Sequence, residues 1–157
     1  MKHSNIPRTL GFRPATGLLT DRLFWAAISA GLIVSALLAA GELTGAPRSI
    51  DVYTLASLLV WYPAIEELTF RGVIQGTLAE TTTGRKKWLG LSVANVAATF
   101  AFTLWHLLYQ GAPIIITLAF PSLVFGFFRD RYQSLVPTLL LHSLYNGLFL
   151  AAHWLYT

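Results

Sequence analysis

The chain has 157 residues, enough for one domain, with 55% hydrophobic and only 11% charged residues and a mean hydropathy of +0.59. A soluble domain carries about 25% charged residues, so this composition excludes one and indicates an integral membrane protein. The net charge is +4, but the cations are grouped between apolar runs and do not suit nucleic acid, and with no cysteine there is neither a disulfide framework nor thiolate chemistry.

The first 22 residues are polar and contain Pro7 and Pro14. They read as a cytoplasmic N-terminal segment and not as a cleavable signal. Leu23 to Gly41 carries no charge and is close to the ~20 residues that cross a bilayer. Val52 to Ala79 is a second apolar run, broken only by Glu66, Glu67 and Arg71. Trp88 to Phe128 lacks Lys, Arg, Asp and Glu for 41 residues, too long for one span. Gln110-Gly111-Ala112-Pro113 divides it into a third span and a fourth; a third helix beginning at Trp88 would set His106 about 27 Å along it, and a later start would set it less deep. Tyr132 to Thr157 forms the fifth, with Pro137 near its start. The expected fold is all-α and multi-pass, with about five transmembrane helices, and residues 23–157 form one transmembrane domain.

The loop cations fix the orientation. Lys2, Arg8, Arg13 and Arg22 precede the first span; Arg85, Lys86 and Lys87 follow the second; Arg129 and Arg131 follow the fourth. All lie on one side if the spans alternate, and the other side keeps only Arg48. The N-terminus is therefore expected in the cytoplasm, and a bacterial inner membrane is the expected location.

Ionised side chains at mid-bilayer are costly and mark function by default. Glu67 and Arg71 are one helical turn apart on one face, in the favourable acid-before-base order. Glu66 is rotated by about 100° and needs a partner on another helix. Pro63 removes a backbone hydrogen bond just before this cluster and should kink or open the helix, and Gly72 lets another element approach closely. His106 lies one turn after Phe102, with Asn95 about three turns earlier on nearly the same face. His142 and Asn146 share a face, and an imidazole with a carboxamide suits a developing oxyanion. Glu66 near a histidine suits general acid–base work. Glu67 with Arg71 alone is equally readable as a structural ion pair. Ser143 sits beside His142 but in no recognisable nucleophile turn.

Three strings resemble one family of intramembrane proteases, the CAAX-protease and bacteriocin-processing (CPBP, or Abi) family. They are Glu66-Glu67-Leu68-Thr69-Phe70-Arg71 followed by Gly72, Phe102 to His106, and His142 to Asn146; the resemblance covers about residues 55–150. It implies a CAAX-protease-like helical core and a glutamic-type endopeptidase. Glu66 with His106 would activate a water, and His142 with Asn146 would hold the oxyanion. Glu67 and Arg71 would support the site, with Glu67 orienting His142. The implied chemistry is metal-free and needs no cofactor; zinc on Glu66, His106 and His142 is the alternative. The chain is similar to compact bacterial members linked to C-terminal sorting signals. The expected partners are therefore a membrane-anchored protein or peptide and the bilayer. Two other functions compete: a non-catalytic immunity or scaffold protein of the same fold, and a proton-linked carrier. A carrier is disfavoured by five spans without an internal repeat.

Overall fold

The computed structural model describes residues 6–40, 50–110 and 115–156. Lys2, Gly41, Arg48, Gly111 to Pro113 and Thr157 lie outside the described residues, and with them most of the expected break between the third and fourth helices. The helices in chain order are α1 (Ile6–Leu10) and α2 (Arg22–Ala40), then α3 (Val52–Ala56), α4 (Tyr62–Glu67) and α5 (Gly76–Ala79), then α6 (Val93–Gln110), α7 (Ile115–Tyr132) and α8 (Val136–Tyr156). Two π-helical stretches, Ser57–Trp61 and Leu68–Gln75, join α3, α4 and α5 into one uninterrupted helical run over residues 52–79. A short 3₁₀ turn, Leu18–Thr20, leads into α2.

The third helix takes the later of the two starts. Lys87–Trp88 and Leu91–Ser92 pair as a two-stranded antiparallel hairpin, β1 and β2, and α6 begins only at Val93. Leu89 and Gly90 both take positive φ, 50° and 84°, which turns the chain. The Ser92 hydroxyl then accepts from the Asn95 amide at 2.9 Å and caps α6. An uncharged run says nothing about these local signals. The later start places His106 about 20 Å along α6.

The described chain divides into two compact units. The first comprises Met1–Thr16 and Ile65–Thr138. In it α6 packs on α7, and the π stretch Leu68–Gln75 packs against α6, α7 and α1. Ala94, Ala98 and Phe102 recur every four residues on the buried face of α6, with Phe125 and Phe128 buried on α7. Gly126 permits close approach: a Cβ there would lie 1.8 Å from Asn95 Oδ1. The element that comes near Gly72 is α1, through the Leu10 carbonyl. The second unit comprises Gly17–Ala64 and Leu139–Thr157. There the Tyr145 hydroxyl donates to the Ala27 carbonyl at 2.7 Å, and its ring lies over Gly31.

The distribution of polarity is inverted relative to a soluble protein. Glu67, Arg71, Gln75, Asn95, Ser122 and Thr138 are buried, while Leu37, Val60, Phe100, Leu108 and Leu140 are exposed. Apolar exposure on this scale marks a surface that meets something other than water. Among the described residues, α2 is long and apolar enough to cross a bilayer, with a mean hydropathy of 2.2; Val93–Leu108 and Val136–Ala152 are shorter apolar stretches.

Candidate active site

The run over residues 52–79 carries the acidic motif. Pro63 has no N–H, so no donor exists five residues beyond Leu58 in a π register. The Tyr62 N–H, which an α-helix would give to Leu58, goes to the Ser57 carbonyl. Asn146 on α8 supplies the missing donor: its Nδ2 donates to the Leu58 carbonyl at 2.8 Å. Pro63 thus opens the helix by widening the turn before it, and a side chain from another helix takes up the carbonyl set loose.

Glu67 and Arg71 are fully buried, with Arg71 Nε 3.5 Å from Glu67 Oε2. The guanidinium is held further by hydrogen bonds from Nη2 to Ser122 Oγ at 2.7 Å and to the Ser122 carbonyl at 3.1 Å. It also lies 5.4 Å from the Phe102 ring centroid, a cation–π contact. A polar chain continues inward: the Ser122 hydroxyl donates to Thr99 Oγ1 at 3.1 Å, and Thr99 donates to Asn95 Oδ1 at 3.3 Å. Asn95 Nδ2 donates to the Leu123 carbonyl at 3.0 Å. Asn95 therefore ties α6 to α7 and stands away from His106. One turn past Arg71, Gln75 Nε2 donates to the Gly126 carbonyl and to Asp130 Oδ1, both at 2.8 Å.

Glu66 faces differently. Its Oε1 lies 3.8 Å from His106 Nε2, and both side chains keep some exposure, 24% and 11%. His106 Nδ1 lies 2.9 Å from the Phe102 carbonyl. A carbonyl only accepts, so Nδ1 carries the proton, and in the neutral ring Nε2 is an acceptor turned toward Glu66. The 3.8 Å gap is longer than a direct hydrogen bond and suits a bridging water. The Phe102 ring lies against the imidazole with centroids 4.2 Å apart and a 36° tilt, and packs edge-on to Phe70 at 5.1 Å.

Of the six residues expected from sequence, the structure brings Glu66, Glu67, Arg71 and His106 together in the first unit. His142 and Asn146 are one turn apart on α8, in the second unit; His142 is buried and Asn146 half-buried. Three residues that support the site escaped the sequence reading. Ser122 and Thr99 look like ordinary small polar residues of apolar helices. Arg129 reads as a topology cation, yet it is buried, and its Nε donates to the Arg71 carbonyl at 3.2 Å. Its Nη2 donates to the Thr9 carbonyl at 2.6 Å, docking α1 beneath the motif.

A helical fold with buried ionisable groups and many exposed apolar side chains is that of a membrane-embedded protein. The type II CAAX prenyl endopeptidase Rce1-like family matches residues 47–148, more than half of the chain, and all three motifs fall within that stretch. The chain belongs to this family of membrane CAAX endopeptidases. No curated protein and no solved structure matches it.

Proposed function

We propose that the chain is an intramembrane endopeptidase of glutamic type, hydrolysing a peptide bond in a membrane-associated protein through a water held by Glu66 and His106. The observation that carries this reading is the Glu66–His106 pair: 3.8 Å apart, partly exposed, with the imidazole tautomer fixed by the Phe102 carbonyl.

The water gives one hydrogen to Glu66 and the other to His106 Nε2. As its oxygen attacks the scissile carbonyl carbon, Glu66 takes the proton and the carbonyl electron pair moves onto oxygen. The family resemblance assigns donation to that oxyanion to His142 and Asn146. Asn146 has two amide hydrogens, of which one goes to the Leu58 carbonyl. Collapse re-forms the carbonyl and breaks the C–N bond. The proton on Glu66 passes to the departing nitrogen, so one water is consumed and one carboxylic acid and one amine are released. Glu67 and Arg71 are positioning residues, neutralising one another and anchoring the helix that bears Glu66.

The setting we propose is a bacterial inner membrane, with five spans in residues 23–157 and the N-terminal segment in the cytoplasm. The proposed substrate is a C-terminal anchor or sorting signal, in keeping with the resemblance to compact family members. A double-mutant cycle tests the water-holding pair, using a reconstituted reporter with a C-terminal hydrophobic anchor and a farnesylated CAAX peptide as alternative substrates. Glu66→Gln and His106→Ala should each remove nearly all cleavage, and the double variant should be little worse than either, because the two residues act as a unit. Additive losses would separate their roles.

A further inference from the structure

We infer that the end of the first unit bearing the β1–β2 hairpin is a binding site for the headgroup of an anionic phospholipid. A cleft of about 350 Å³ opens there between α1, the end of α5, the hairpin and the end of α7. Four cations line it, Arg8, Arg85, Lys87 and Arg129, against two carboxylates, Glu80 and Asp130. Both carboxylates already accept hydrogen bonds, Glu80 from Thr9 at 3.3 Å and Asp130 from Gln75 at 2.8 Å. Buried Arg129 supplies fixed positive charge from below, while Arg8, Arg85 and Lys87 are exposed.

The cations of the connecting loop are presented from a rigid frame. Gly84 N donates to Thr81 Oγ1 at 2.9 Å, Ala94 N to the Gly84 carbonyl at 3.0 Å and Val93 N to the Lys86 carbonyl at 2.9 Å. Arg85 and Lys87 are therefore held beside the cleft at little cost in backbone entropy on binding.

The hairpin tip says what the anion is attached to. Trp88 and Leu89 are 79% and 80% exposed, at the point of the loop and immediately beside the cationic cleft. Leu89 holds a φ of 50°, which a leucine adopts only at a cost. A soluble anion would use the cleft and leave this apolar tip without a role. A phospholipid uses both: its phosphate faces the cations, and its acyl region receives tryptophan and leucine at interfacial depth. The inference rests on the reading that this end faces the cytoplasmic leaflet, but its test requires neither that orientation nor protease activity.

The full-length protein in neutral detergent is titrated with dioctanoyl-phosphatidylglycerol, dioctanoyl-phosphatidylcholine and inorganic phosphate, with the melting temperature as readout. Phosphatidylglycerol should raise it saturably, phosphatidylcholine should not, and inorganic phosphate should act only at much higher concentration. Arg85→Gln and Lys87→Gln should each weaken the phosphatidylglycerol response roughly fivefold. Trp88→Ser should weaken that response while leaving any response to phosphate unchanged. All three residues are exposed, so the lipid-free variants should melt with the wild type. Equal shifts from the two lipids, or an undiminished shift in the Arg85→Gln, Lys87→Gln double variant, would overturn the site. Phosphate acting at the same concentration as phosphatidylglycerol would overturn the lipid assignment.

Discussion

Adjacent glutamates have opposite surroundings, and that contrast organises the site. Glu67 is sealed inside with Arg71, whereas Glu66 keeps 24% of its side chain open and meets an imidazole instead of a guanidinium. A sealed carboxylate locked to arginine is poorly placed to exchange protons with water; a partly open one beside a histidine is well placed. The network behind Arg71 gives a stability prediction. Ser122→Ala removes the hydroxyl that receives Arg71 Nη2 at 2.7 Å. A lost hydrogen bond to a charged group costs about 1.5–3 kcal/mol, so the variant should melt measurably lower in detergent while retaining turnover. Unchanged stability would mean that the Ser122 carbonyl alone suffices to hold the guanidinium. The motif residues were legible in the sequence because a charge in an apolar run is conspicuous. Ser122, Thr99 and the structural role of Arg129 were not, since their significance depends on which helix each one faces.

Among the elements, α2 falls where its apolar run puts it, whereas α7 continues through Arg129 and Arg131 to Tyr132 and α8 begins only at Val136, because a helix end is set by local backbone signals and not by the first charge. The hairpin did not show as an interruption in the uncharged run, as it depends on two positive φ angles. The π stretches were illegible for another reason: a π register is rare and has no sequence period of its own to announce it. Pro63 is visible in the sequence, but its consequence at Leu58 becomes clear only with Asn146 in place. That link predicts a coupling. Asn146→Ala should lower stability by about 1–3 kcal/mol by leaving the Leu58 carbonyl unpaired. In a Pro63→Ala background, which restores an N–H at position 63, the same change should cost less. Equal costs in both backgrounds, measured by thermal melts, would deny that Asn146 answers to Pro63.

At the scale of the molecule, the inverted distribution of polarity and the family both make the membrane the natural solvent of this chain. The arrangement of loop cations predicts that reporter fusions after Arg85 and Asp130 read cytoplasmic and a fusion after Thr157 reads external; a cytoplasmic C-terminus would remove a span or reverse the orientation. Carboxylate–histidine chemistry without a metal further predicts that exhaustive treatment with a strong chelator leaves cleavage intact. Loss with recovery on adding zinc would instead make Glu66, His106 and His142 ligands. The central claim is that the Glu66 carboxylate takes the proton from the attacking water, and Glu66→Gln tests it most directly, keeping the size of the side chain but not its basicity. In reconstituted vesicles, this variant should insert, melt near the wild type and still bind the anchored reporter, yet give no detectable cleavage. Cleavage at a wild-type rate by Glu66→Gln would contradict it.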